Sequence, residues 1–347
     1  MHSFLRRLSV FWIFFSLGLA GQAASMVDPT KDGGPERAEF SRAVRQLFLD
    51  EDFARLETMA EKLWQEKSRF SDGWWKLQLF HSAFSVSYTE RARFDWDGCF
   101  ARLRRWEEKF PQSLIAPVMH GWVMNAYAWE ARGGGFANTV SSDGLKKFNE
   151  RLHQTRVMLQ DRPELKTRPG YYEVMITVAL GEGWEKPAFD RLFAEAVAIA
   201  PDYEEIYCKR ANSLQEKWYG GPGEWQKFAA DSADSTKADL GMSLYTRIVW
   251  TIVGTKKIEA FRAAKIDWPR MRQGFEDLAH RYPDSLWNKN AYCYFAYAAN
   301  DRETVRRLLE ELEGKITPSL WPNPTYLNSV KLWAALPLPG SSDHDKK

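Results

Sequence analysis

The 347-residue chain has only three cysteines, Cys99, Cys208 and Cys293. A secreted fold stapled by disulfides carries more, and an even number. At most one bridge can form, so the expected reading is three small buried helix residues. Net charge is also nearly lacking, at +2 over 48 basic and 46 acidic residues. Without Arg6 and Arg7 the basic residues equal the 46 acidic ones, and the formal charge falls to zero. A neutral chain has no bulk electrostatic reason to seek nucleic acid or an anionic membrane. Long apolar runs are missing beyond the N-terminus. The longest block, "AYCYFAYAA" from Ala291, has nine residues and reads as a buried helix.

Catalytic and metal-binding motifs are missing as well. The histidines beyond residue 24, His81, His120, His153, His280 and His344, are far apart in sequence. HExxH, CxxC and the paired Cys/His spacings of zinc sites do not occur, so no metal or cofactor is expected. GxSxG and SxxK are absent, and no base is placed to activate Cys99. An enzyme is therefore not the first expectation. Glu130, Glu173 and Glu224 each neighbour aromatic residues, as a sugar-cleaving acid would. With 46 acidic residues such neighbours are common, and glycan hydrolysis is the third-ranked alternative.

What is present is aromatic and helical. Sixteen tryptophans, in a chain 14% aromatic, imply large packed faces or exposed platforms for flat ligands. The first 24 residues follow a secretory plan: Arg6 and Arg7, an apolar stretch from Leu8 to Ala20, then Gly21 and Ala23 at the small positions before cleavage. Cleavage is expected after Ala23 or Ala24. An uncleaved anchor is the alternative, but the run is shorter than the ~20 residues a spanning helix needs. The chain is expected to be exported, periplasmic or secreted, without stable membrane insertion after cleavage. Residues 25–36 read as a linker, 37–314 as the helical domain, 315–336 as a C-terminal capping segment, and 337–347 as a disordered polar tail.

Within 37–314, three segments align on Pro111, Pro201 and Pro283, spaced 90 and 82 residues apart. Twelve residues before each proline stand Cys99, Phe189 and Met271; eight before, Leu103, Phe193 and Phe275. Five before stand Trp106, Ala196 and Leu278, and ten after stand Gly121, Ala211 and Cys293. One helix presents an apolar face, the proline stops it, and a second helix returns with a small residue at its contact. The spacing resembles the tetratricopeptide repeat and its relatives. The fold expected is all-α, a right-handed superhelix of antiparallel helix pairs. Ser71 occupies the proline position of a fourth, degenerate copy.

Three glycine-rich stretches punctuate these helices: Gly133 to Gly135, Gly181 to Gly183, and Gly220, Gly221 and Gly223. Each is followed by an aromatic residue, Phe136, Trp184 or Trp225, with Trp218 before the third. Glycine amides at a helix start could hold an anion, yet none of the three fits a phosphate-binding motif. They read as helix corners, with positive φ expected at Gly220 or Gly221 and Trp218 and Trp225 packed around the turn.

"KWYGGPGEWQKFA", "AYAWEARGGGFANTV" and "LFAEAVAIAPDYEEIY" together resemble a bacterial domain-of-unknown-function family of tetratricopeptide-like proteins. The likeness runs from about Arg37 to about Ala238 and weakens through the last repeat. It implies a helical-repeat fold, often exported, with no catalytic residues to carry over. Lys217-Trp218 departs from the arginine-tryptophan more usual there. The leading function expected is a non-catalytic scaffold binding a protein or peptide along a concave face. Candidate binding residues are Trp122, Asn125, Tyr207, Asn212, Asn290 and Tyr294. Glycan or cell-wall polymer binding through exposed tryptophans is the second reading.

Overall fold

The computed structural model of the chain describes residues 33–84, 94–135, 139–255 and 258–337. The expected signal segment, most of the linker and nearly all of the tail lie outside the described residues. Among those described, the regular structure is all-helical, with seventeen α-helices and no strand.

The chain divides into two compact units. Unit 1 comprises Glu39–Ser68 and Trp75–Trp225; unit 2 takes the start of α1 as far as Ala38, Arg69–Trp74 and the chain from Gln226. Unit 1 is built on α1 (Gly33–Leu49), α2 (Phe53–Gln65), α3 (Lys76–Ser82), α4 (Trp96–Lys109), α5 (Ala116–Arg132), α6 (Ser142–Gln160), α7 (Pro169–Glu182), α8 (Lys186–Ile199) and α9 (Glu204–Ser213). Unit 2 contains α10 (Glu224–Ser235), α11 (Lys237–Leu240), α12 (Ser243–Val253), α13 (Ile258–Ala263), α14 (Trp268–Arg281), α15 (Leu286–Ala298), α16 (Arg302–Leu312) and α17 (Pro324–Ala335). Helix α1 thus begins inside the expected linker, and the 315–336 segment contains α17, packed on α16.

The three proline corners share one backbone. Phe110, Ala200 and Tyr282, each just before its proline, have φ/ψ of −128/69, −140/73 and −132/64. Proline Cδ disfavours the helical region for the residue before it, so each helix ends there. Each of these residues donates its N–H to the carbonyl four back, on Trp106 (2.9 Å), Ala196 (3.0 Å) and Leu278 (2.8 Å). Two residues past each proline, Ser113, Tyr203 and Ser285 donate back across the corner to Phe110, Ala200 and Tyr282. The aligned apolar columns are buried, apart from Phe193, which is half-buried. Ser71 is different. Helix α2 stops at Gln65, and Ser71 lies in a short turn where Phe70 donates to Trp74 O at 2.8 Å. Without proline nothing forces a corner there, and no fourth copy forms.

In unit 1, α5 packs on α7 and α7 on α9, with α3 joining at α5, while α4, α6 and α8 flank this row. The sequence of α7, "PGYYEVMITVALGE", is apolar on every side, and all residues from Pro169 to Leu180 are buried. Gly170 permits this closeness: a Cβ there would lie 2.7 Å from His81 Cε1 and 2.8 Å from Val118 Cγ1. In unit 2, α12 and α15 pack on α14, and α16 packs between α15 and α17. All three cysteines are buried and outside any disulfide. Burial pushes the Cys99 and Cys293 thiols up to about 12.

Candidate functional site

The glycine stretches are corners of the helices that they follow. Positive φ falls at Gly133 (73°), Gly183 (68°) and Gly223 (77°), not at Gly220 or Gly221. The reason is Pro222: Gly221-Pro222-Gly223-Glu224 carries the residue signature of a type II turn, and Glu224 N donates to Gly221 O at 3.2 Å. Gly220 is needed for another reason, since a Cβ there would lie 1.8 Å from the Leu214 carbonyl oxygen. The Gly221 amide donates to Glu224 Oε2 at 2.9 Å, so the chain's own carboxylate takes the place of an external anion. The corners adjoin one another. Trp129 and Trp218 meet edge to face at 6.0 Å, Trp129 also faces Gly181, and Tyr219 OH donates to Leu180 O at 3.1 Å. Trp225 is buried, Trp218 is half-buried, and Trp184 Nε1 donates to Glu182 at 2.8 Å. Gly135 has Thr139 against it, and Phe136 lies outside the described residues.

The six candidate binding residues sit on the second helix of each proline pair, and five of them are buried. Tyr207 turns toward the corner, donating to Pro201 O at 2.9 Å and meeting Phe193 edge to face. Asn212 is half-buried and accepts from Gln215 at 2.7 Å. In unit 2, Asn290 uses its whole amide: Nδ2 donates to Leu286 O and Lys315 O, and Oδ1 accepts from Thr317 N and Trp321 Nε1. Tyr294 packs edge to face on Phe295 and Trp321. These four are structural.

Trp122 and Asn125 are placed otherwise. They lie one turn apart on α5, and Trp122 stands beside a polar cluster drawn from α3, α7 and α9. Glu173, fully buried on α7, accepts at Oε1 from Tyr203 OH at 2.6 Å, and His81 Nδ1 lies 2.8 Å from the same oxygen. Burial, reinforced by Glu173, raises the Tyr203 phenol well above its ordinary value, so it remains a donor. The His81 ring stacks on Trp122 with centroids 6.5 Å apart. Lys209 Nζ lies 5.0 Å from the Trp122 ring centroid, 3.6 Å from Glu205 Oε1 and 3.4 Å from Thr177 Oγ1. Burial pushes the Glu205 carboxyl up to about 7, with Lys209 pulling the other way. Three buried polar atoms here have no hydrogen-bond partner among the described residues: Glu173 Oε2, Trp122 Nε1 and Asn125 Oδ1.

A second feature of unit 1 is a surface groove of about 410 Å³ lined by Trp96, Tyr127, Glu130, Asp143, Lys147 and Arg151, among others. Its charges are paired, Lys147 to Asp143 at 2.8 Å and Arg151 to Glu130 at 3.3 Å. Its rings are engaged too: the Arg151 guanidinium covers Tyr127 at 3.2 Å, and Trp96 packs against Phe94, Phe100 and Tyr127. No described tryptophan anywhere in the chain is exposed.

The three glutamates weighed for hydrolysis have separate employments: Glu130 pairs with Arg151, Glu173 sits in the buried cluster, and Glu224 caps Gly221. His120 pairs with Glu107 at 2.6 Å, and His153 lies 2.8 Å from Arg156. His280 is exposed, and His344 lies outside the described residues. Among the described residues no group of three or more His, Cys, Asp or Glu could hold a metal ion. The Glu173 cluster was only partly visible in sequence. A glutamate inside a helix apolar on all sides is its one local signal, because its partners His81 and Tyr203 stand 92 and 30 residues away. Comparison with known protein families, curated proteins and solved structures finds no match for the chain.

Proposed function

We propose that the chain is an exported, non-catalytic helical-repeat scaffold of the tetratricopeptide-like kind, a right-handed superhelix of helix pairs that binds a protein or peptide. The observation carrying this reading is the helix–proline–helix corner, built three times with the same backbone angles and the same hydrogen bonds. Two of these corners lead into α5 and α9, which pack on either side of α7, and stacking of helix pairs is how repeat proteins generate extended binding faces. Export rests on the arginine-led apolar N-terminus, and no helix among the described residues is long and apolar enough to cross a membrane.

The docking surface we assign is the groove formed by α4, α5 and α6. Its ion pairs of both signs suit a polar peptide segment that exchanges partners with Asp143, Lys147, Glu130 and Arg151. A photo-crosslinking side chain at Lys147, inside the groove, tests this against one at Val157, exposed on the same helix. In cells the groove position yields a discrete adduct that disappears on Arg151→Glu. Equal labelling from both positions, or none from Lys147, overturns the assignment.

A further inference from the structure

We propose that the polar cluster between α3, α5, α7 and α9 binds a small ligand pairing a primary ammonium with a neighbouring carbonyl oxygen, the chemistry shared by a free amino acid and a peptide N-terminus. The site is distinct from the groove and does not depend on it.

The requirements come from the atoms left over. Glu173 Oε2 and Asn125 Oδ1 are acceptors without donors, on residues 0% and 4% exposed. Trp122 Nε1 is a donor without an acceptor, on a residue 9% exposed. A buried polar group left dry loses the full cost of its desolvation, and more where it carries charge. Two acceptors and one donor call for a ligand with several N–H groups and one oxygen. An ammonium supplies three donors to Glu173 and Asn125, and an adjacent carbonyl oxygen accepts from the indole N–H. The remaining lining suits this division. The Oε1 side of Glu173 is already held by Tyr203 and His81, which fixes the carboxyl and leaves Oε2 as its binding edge. Lys209, over the Trp122 ring, places positive charge beside the indole, where an oxygen acceptor gains from it and a second cation would not. Thr177, one turn along α7, donates its hydroxyl to Glu173 O at 3.0 Å and lies 3.4 Å from Lys209 Nζ. Glu205 and Lys209 are the members that reach solvent, their side chains 18% and 15% exposed, and they mark the way in.

The test is calorimetric titration of the full chain, with thermal unfolding in parallel, using four probes. Glycine stands for a free amino acid and glycinamide for a peptide N-terminus. Methylammonium lacks the oxygen, and N-acetylglycinamide lacks the ammonium. We expect glycine or glycinamide to bind and raise Tm, the tighter of the two naming the source. Methylammonium binds at least threefold more weakly, and N-acetylglycinamide does not bind. Glu173→Gln lowers affinity at least tenfold, whereas Trp122→Phe abolishes the preference over methylammonium. Absence of heat and of any Tm shift with both glycine and glycinamide overturns the proposal, as does undiminished binding by Glu173→Gln. A Trp122→Phe variant that fails to fold leaves the Glu173→Gln comparison decisive.

Discussion

Each unit buries a carboxylate among aromatic rings, and the two carboxylates are treated differently. In unit 2, Asp72 is fully buried and both its oxygens are used: Arg37 pairs with Oδ2, and Trp74 N donates to Oδ1 at 3.1 Å. Its backbone carbonyl accepts from Arg247 and from Asn288 Nδ2 at 3.0 Å. Arg37 lies over the rings of Phe70 and Trp287, and Arg247 over those of Trp74 and Trp250. Charge, hydrogen bonds and cation–π contacts hold the 69–74 turn as a bracket. In unit 1, Glu173 has one oxygen served twice and the other not at all. The contrast lies in the carboxylates themselves: Asp72 has a partner at each oxygen and Glu173 at only one. A buried cluster that leaves a carboxyl oxygen, an indole N–H and an amide oxygen unmatched gives up stability that a purely structural cluster keeps.

The largest effect should come from breaking the bracket. Asp72→Ala takes the carboxylate from the Arg37 guanidinium, which is only 12% exposed, and the acceptor from the Trp74 N–H. Removing one partner of a buried ion pair costs about 3–5 kcal/mol. The loss is expected in urea unfolding, with hydrogen exchange rising first over residues 69–74. A cost below about 1 kcal/mol would show that the turn is held by its aromatic packing alone, and the contrast with unit 1 would collapse.

The bracket was not legible in the sequence, and the reason is distance: Arg247 and Asn288 reach Asp72 across 175 and 216 residues. What could be read was local and forced. Proline at 111, 201 and 283 constrains the residue before it, so the corners followed from the sequence and recur with the same angles. Ser71 imposes no such constraint, which is why pattern alone misplaced a fourth corner. At Gly220 to Gly223 the readable signal was the Pro-Gly pair of a type II turn, which assigns positive φ to Gly223. Alignment of the prolines brought Trp122 into view, but nothing in sequence distinguishes it from Tyr294, its counterpart eleven residues past Pro283. Only packing sets Trp122 beside the His81 ring and the Lys209 ammonium, and Tyr294 against Phe295 and Trp321.

A second, smaller effect separates the clusters by pH. Glu205, at the mouth of the unit 1 cluster, has its carboxyl pushed up to about 7 by burial against an ordinary value of 4.5. A raised acid favours folding while it is protonated. Its contribution is complete below about 4.5 and is lost as pH rises through about 7, an effect on the order of 1–3 kcal/mol. Between pH 5 and pH 8, urea midpoints of the wild type should therefore fall further than those of Glu205→Gln. Parallel pH profiles for the two would remove Glu205 from the titrating groups of the cluster.

The smallest expected change bears most directly on the comparison. Glu173→Gln retains an acceptor for Tyr203 OH and replaces an unmatched oxygen with an amide of nearly the same volume. If the cluster were a bracket like that around Asp72, the substitution would disturb a satisfied network and cost several kcal/mol. The glutamine keeps an oxygen facing Tyr203 and His81 and removes the acceptor that has no donor. Stability measured without added ligand should then stay within about 1 kcal/mol of wild type, or rise. Neutral or improved stability together with lost glycinamide binding would mark Glu173 as a residue kept for a ligand rather than for the fold.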